Sequence, residues 1–155
     1  MIGKNLFKSG VYTDTTVKSQ EASWGALRIV DLPGYGYSKM SKQEQAKVGT
    51  FIEEYLSTSK NIALIVFLID IRHSPSSNDK LMYDYIIHCN LPCLIIANKA
   101  DKIAVTKVDN EVARLQNELN PLKDLTFIPY SSERRIYSEK CWKILSNYVE
   151  NSNNM

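Results

Sequence analysis

Two uninterrupted apolar runs, Ile62-Ala-Leu-Ile-Val-Phe-Leu-Ile69 and Leu91-Pro-Cys-Leu-Ile-Ile-Ala97, constrain this chain most. Each has the length of a strand, and neither alternates apolar with polar residues. Such runs suit strands buried on both faces, as in parallel sheets covered by helices. Between them, Ser77 or Asn78 can cap a helix whose inner face is Leu81, Met82, Tyr85, Ile86 and Cys89. The same alternation continues on both sides. Leu27 to Val30 reads as a short strand ending at Asp31, and Leu125 to Pro129 as another. Val48, Phe51, Ile52 and Tyr55 fall at helical spacing within a helix over 41–56. Val112, Leu115 and Leu119 do so within 108–119, and Trp142, Leu145 and Val149 within 138–149. Strands alternating with helices at this spacing predict an α/β three-layer sandwich with a mainly parallel sheet.

At 155 residues the chain has the length of about one domain, read here as residues 1–150 followed by a frayed, disordered tail over 151–155. A formal charge of +2 is too small to argue for nucleic acid or a membrane surface. No apolar run reaches the roughly 18 residues of a membrane span, so no membrane partner is expected. Three cysteines, Cys89, Cys93 and Cys141, form no Cys-x-x-Cys pair. They read as reduced thiols of a cytoplasmic protein, or of an organelle-matrix protein if a targeting segment stands upstream.

Ligands of open parallel sheets sit at the carboxyl ends of the strands. That rule selects the loops after Val30, Ile69, Ala97 and Pro129. The loop after Ala97 reads Asn98-Lys99-Ala100-Asp101. An Asp carboxylate can accept from both adjacent donors of guanine, the ring N–H and the exocyclic amine, a pair that adenine lacks. Asn98 can meet N7 and hold the loop, and the Lys99 stem can cover the base. A site built around such donors rejects an analogue without them, because its acceptor is left unpaired. The same four residues also suit a helix-capping loop; their place after a buried strand favours the base. Tyr130-Ser131-Ser132, after Pro129, can offer an N–H to the guanine carbonyl and steady the Asp101 loop, or simply make a turn. Asp31-Leu32-Pro33-Gly34 suits a magnesium and γ-phosphate sensor, with the carboxylate reaching the ion through water and the Gly34 N–H meeting a phosphate oxygen. Alone it reads as a strand-to-loop turn.

In this order the three motifs resemble the third, fourth and fifth guanine-nucleotide motifs of Ras-like P-loop GTPases. The stretches "DLPGYGYSKMSK", "IDIRHSPSSNDKLMYDYI", "LPCLIIANKADKI" and "YSSERRIYSEKCWKIL" resemble more narrowly the EngB (YihA/YsxC) family. The likeness covers roughly Lys4 to Val149. It implies a Ras-like P-loop NTPase fold, binding of GTP and GDP with Mg²⁺, slow GTP hydrolysis, and a partner in the large-subunit precursor of the ribosome. In bacteria it also implies a link to cell division and septation. By resemblance Asp31, Leu32, Pro33, Gly34, Asn98, Lys99, Ala100, Asp101, Tyr130, Ser131 and Ser132 contact nucleotide. Asp31 and Thr15 or Thr16 approach the metal. No catalytic residue is assigned: Tyr35 stands where Ras-type enzymes carry the water-positioning glutamine. Tyr35 and Tyr37, beside Lys39 and Lys42, can stack on RNA or pack on the next helix. His73 reads as a loop or partner-contact residue, His88 as a surface residue, and Trp24 and Trp142 as packing residues. The oligomeric state is not legible.

The phosphate cradle Gly-x-x-x-x-Gly-Lys-[Ser/Thr] does not occur in the sequence. Gly3-Lys4 is not its remnant, since 26 residues separate Lys4 from Asp31 where a helix, a switch loop and two strands need roughly 35 to 40. "GKNLF" fits better the end of a first helix. The expectation is an N-terminally truncated form of a GTPase, with a divergent protein that repairs the gap as the alternative.

Overall fold

A computed structural model describes residues 19–24, 27–34, 40–119, 125–134 and 137–152. Two compact units divide the chain, Met1–Thr58 and Ser59–Met155.

In the first unit, β1 (Gln20–Trp24) pairs antiparallel with β2 (Leu27–Asp31), in a register that sets Gln20 opposite Asp31 and Trp24 opposite Leu27. The polar sequence of β1 gives no strand signal of its own. It is a strand because β2 supplies its ladder, a case of context overriding propensity. Arg28 lies 3.7 Å from Glu21 across the pair, an exposed contact of little energetic weight. Helix α1 (Lys42–Thr58) starts with a capping box. The Glu44 N–H donates to Ser41 Oγ at 3.3 Å, and the Ser41 N–H donates to Glu44 Oε2 at 2.7 Å. Val48, Ile52 and Leu56 are its buried residues, one per turn.

The second unit is built on β3 (Ile65–Asp70), β4 (Cys93–Asn98) and β5 (Thr126–Pro129), all parallel, in the order β3-β4-β5. Residues 62–64 of the first apolar run precede the strand, because β3 begins where its partner begins: Ile65 faces Cys93. Cys93 to Ala97 of the central β4 are all buried, as the continuous apolar run requires. On one face Leu94, Ile96 and Ile128 pack with Cys141, Ile144 and Leu145 of α4 (Ser138–Ser152). Helix α3 (Val108–Leu119) packs on β5 and buries Val108, Leu115 and Leu119. The outer strand β3 buries Phe67 and Ile69 and leaves Val66 and Leu68 exposed.

Helix α2 (Ser77–His88) is capped by Ser76, not by the expected Ser77 or Asn78. The reason is the acid at the third position. Asp79 closes a capping box only with Ser76, whereas Ser77 and Asn78 would have Lys80 and Leu81 there. Ile86 is buried as expected, but Tyr83 is buried beside it and Leu81 is 70% exposed, so the buried face is only partly the expected one. In α4, Cys141 is buried and Trp142 is exposed, the reverse of the packing role expected of the tryptophan. This helix runs past Val149 to Ser152, so Asn151 and Ser152 continue it. Residues 153–155 lie outside the described residues.

Replacing Ile95 (0% exposed) by Ala should cost about 2–5 kcal/mol in urea unfolding, while Leu81→Ala should change stability by less than about 0.5 kcal/mol. Equal losses would contradict the assignment of the α2 surface.

Candidate functional site

The register of the parallel sheet places Asp70 beside Asn98 and Ala97 beside Pro129. The carboxyl ends of β3, β4 and β5 therefore open together, and the loops that leave them are joined by hydrogen bonds. The Tyr130 N–H donates to Ala97 O at 2.9 Å, and the Ala100 N–H donates back to Tyr130 O at 3.0 Å. The second of these bonds opens the 3₁₀ turn Ala100–Lys102, with Ala100 buried. Lys99, which precedes it, has φ 64° and ψ 32°. That left-handed conformation costs a non-glycine residue about 1 kcal/mol. The Asn98 side chain supports it: its Oδ1 accepts the Lys99 N–H at 2.8 Å.

Ser131 is the residue that fixes Asp101. It is fully buried, and its Oγ donates to Asp101 Oδ1 at 2.7 Å while accepting the Arg134 N–H at 3.1 Å. Lys102 Nζ stands 3.2 Å from Asp101 Oδ2 and 2.9 Å from Glu133 Oε2. The Ser131 hydrogen bond, helped by Lys102, holds the Asp101 carboxyl below its ordinary range. At neutral pH Asp101 is thus an acceptor-only group in a fixed orientation. The Asp101 side chain is 4% exposed and Lys102 is 44% exposed, so a donor pair approaching Oδ2 must share it with the Lys102 ammonium or displace it.

The sequence-selected residues Asn98, Lys99, Ala100, Asp101, Tyr130, Ser131 and Ser132 are brought together here, with Ser132 exposed. Asp31 to Gly34 belong to the other unit. Asp31 is the exposed last residue of β2, and Leu32, Pro33 and Gly34 follow in irregular backbone. Thr15, Thr16, Tyr35, Tyr37 and Lys39 lie outside the described residues. Among the described residues no three His, Cys, Asp or Glu side chains cluster to hold a metal. An all-protein cage does not fit, but Mg²⁺ is commonly held by one or two carboxylates with waters and substrate phosphates, and the exposed Asp31 carboxylate is a donor of that kind.

Two groups escaped the reading of the sequence. Asp70, the last residue of β3, accepts from Arg72 Nε at 2.9 Å and from Arg72 Nη2 at 2.8 Å, and its Oδ2 lies 2.9 Å from Lys99 Nζ. The Arg72 hydrogen bonds, with Lys99, hold its carboxyl well below the usual carboxylate range. Arg114 of α3 donates to Ile71 O at 3.2 Å, His73 O at 3.3 Å and Ser74 Oγ at 3.2 Å. It pins the loop after β3 from some 40 residues away, a distance at which no local pattern speaks. A carboxylate at a strand's carboxyl end was the available signal for Asp70. The cysteines are free thiols; burial pushes Cys93 up to about 12 and raises Cys141, so neither is a ready nucleophile. Among the described residues no helix is long and apolar enough to cross a membrane.

Ser131→Ala should raise the Asp101 pKa toward the ordinary value of about 4, read by carboxyl-carbon NMR titration. A group with a depressed folded-state pKa stabilises the fold fully above its unfolded value and loses that contribution as pH falls. The variant should therefore also lose less stability on acidification. An unchanged Asp101 titration would contradict the clamp.

The sequence profile of a family described as 50S ribosome-binding GTPase matches residues 1–99. Among solved structures, a probable GTP-binding protein engB superposes with a TM-score of 0.76 at 24% identity, covering 94% of this chain and 84% of that one. A variant of Era from Aquifex aeolicus, bound to GDP and aluminium fluoride, superposes with a TM-score of 0.64 at 20% identity, covering 86% of this chain and 45% of that one. Era in complex with MgGDPNP and a segment of 16S ribosomal RNA gives 0.64 at 19% identity, covering 92% and 47%. At these identities the likeness shows the shared fold, that of Ras-like GTPases.

Proposed function

This chain belongs to the 50S ribosome-binding GTPase family, and from that premise we propose that it is a guanine-nucleotide-binding protein of the EngB type. The observation that carries the reading is the Ser131–Asp101 hydrogen bond of 2.7 Å, which holds an ionised acceptor at the end of the central strand. Asp101 accepts from the guanine ring N–H and exocyclic amine. Asn98 meets N7, the Lys99 stem lies over the base, Ala100 keeps the turn tight, and the backbone of Tyr130, Ser131 and Ser132 faces the guanine carbonyl. Asp31 serves Mg²⁺ through water, with Thr15 or Thr16 completing the ion's protein contacts. The Gly34 N–H meets the γ-phosphate, and Leu32 and Pro33 shape the loop between them. Mg²⁺, when bound, neutralises phosphate charge.

The biological setting follows from the resemblance: assembly of the large ribosomal subunit on its RNA-protein precursor, in the cytoplasm, with a link to cell division. GTP hydrolysis belongs to a form that carries a phosphate cradle. The sequence lacks a Gly-x-x-x-x-Gly-Lys-[Ser/Thr] run, and this favours a second reading, a non-enzymatic scaffold that keeps the base site.

Titration with mant-GDP, competed by GDP and by ADP, tests the proposal. Guanine should compete and adenine should not, with a Kd weaker than about 1 μM because backbone N–H groups of a cradle are not there to take up phosphate charge. Equal competition by ADP would overturn the base site. Submicromolar, Mg²⁺-dependent binding would overturn the account of a missing phosphate grip, and no binding of guanine nucleotide at all would overturn the base site in both readings.

A further inference from the structure

The strongest unassigned feature is the ion triad that crosses from β3 to the base loop. Lys99 Nζ meets Asp70 Oδ2 at 2.9 Å, and Arg72 grips the same carboxylate through Nε and Nη2. The strands meet at the same level: the Ile71 N–H donates to Asn98 O at 3.0 Å. Arg114 fixes the loop that carries Arg72 through Ile71 O and His73 O. The Asp70 carboxylate is thus held on one side by a forked guanidinium, and its remaining reach is spent on Lys99.

A free lysine stem samples many rotamers, and ordering it on ligand arrival opposes binding. A stem whose ammonium is already anchored has lost that freedom before the ligand arrives. We propose that Asp70 is a positioning residue for the base site: through its ion pair with Lys99 it fixes the Lys99 stem along the face where guanine would stack. The role rests on the guanine reading of the Asn98–Asp101 loop. A purely local role is distinguishable. Asp70 Oδ1 also accepts the Arg72 N–H at 3.1 Å, closing a turn after β3. Asparagine retains that acceptor, and Asp70→Asn therefore keeps the turn while removing the charge that holds Lys99.

Two measurements on the full chain decide the matter. In nucleotide-free protein, the ¹H–¹⁵N correlation of the Lys99 ammonium should be protected from exchange in the wild type and lost in Asp70→Asn. Persistence of the signal in the variant would overturn the proposal. In mant-GDP titrations, Asp70→Asn should weaken binding by about 3- to 10-fold, the effect of releasing one long side chain. In a Lys99→Met background the same substitution should have no further effect. Equal weakening in both backgrounds would show that Asp70 acts otherwise than through Lys99. If the wild type binds no guanine nucleotide, the base-site reading itself fails and the role of Asp70 fails with it; equal weakening with wild-type binding intact removes only the role.

Discussion

The burial of β4 is the constraint on which the second unit depends. Its edges are taken by β3 and β5, and Cys93 to Ala97 are all buried. A strand so enclosed has no freedom of register, because a slip of one residue would misplace every side chain on both faces. Its carboxyl end is consequently a fixed point. Asn98 emerges there next to Asp70, and the loop that follows begins from a defined position. The reciprocal bonds between Ala97, Ala100 and Tyr130 pass that order to the loop after β5.

On this platform two carboxylates, one at the end of β3 and one in the loop after β4, are held by cations and hydrogen bonds. Asp101 is held by Ser131 and Lys102, and Asp70 by Arg72 and Lys99. Both carboxyls are held below their ordinary range, Asp70 well below it. Their geometry, more than their charge, distinguishes the site, since exposed ion pairs contribute little stability. What the pairs supply is orientation: an acceptor with one oxygen fixed by a buried hydroxyl, and a lysine stem fixed at its far end. Those are the features that a planar base with two adjacent donors would exploit.

Much of this was legible in the sequence, for identifiable reasons. The apolar run before Asn98 marked β4 because a strand covered on both faces needs no polar alternation; the first run marked β3 as well, but that strand buries only Phe67 and Ile69 and leaves Val66 and Leu68 exposed, against the expectation of burial on both faces. The Asn98-Lys99-Ala100-Asp101 spacing stood out because it follows such a run directly. Helix α3 begins and ends as its periodicity indicates. Several of the losses have a common cause, the dependence of an element on something distant. The polar β1 exists through β2. The α2 cap sits at Ser76 because only there does an acid stand three residues on, and the helix buries Tyr83 while leaving Leu81 exposed. Trp142 is exposed because Cys141 takes the inward position. The triad of Asp70, Arg72 and Lys99 forms only when β3 and β4 come into register, and Arg114 reaches its loop from α3. The Tyr130-Ser131-Ser132 stretch reads as able to steady the Asp101 loop or to make a turn; the direct bond from the Ser131 hydroxyl to Asp101 is not legible in it.

The central claim is that Asp101 reads guanine. The measurement that tests it most directly is the base preference of Asp101→Asn, taken as the ratio of Kd values for GDP and XDP. The account expects the ratio to move toward xanthine, because an amide donor can meet the xanthine carbonyl that stands where guanine carries its amine. A ratio unchanged from the wild type, with the variant folded, would contradict it.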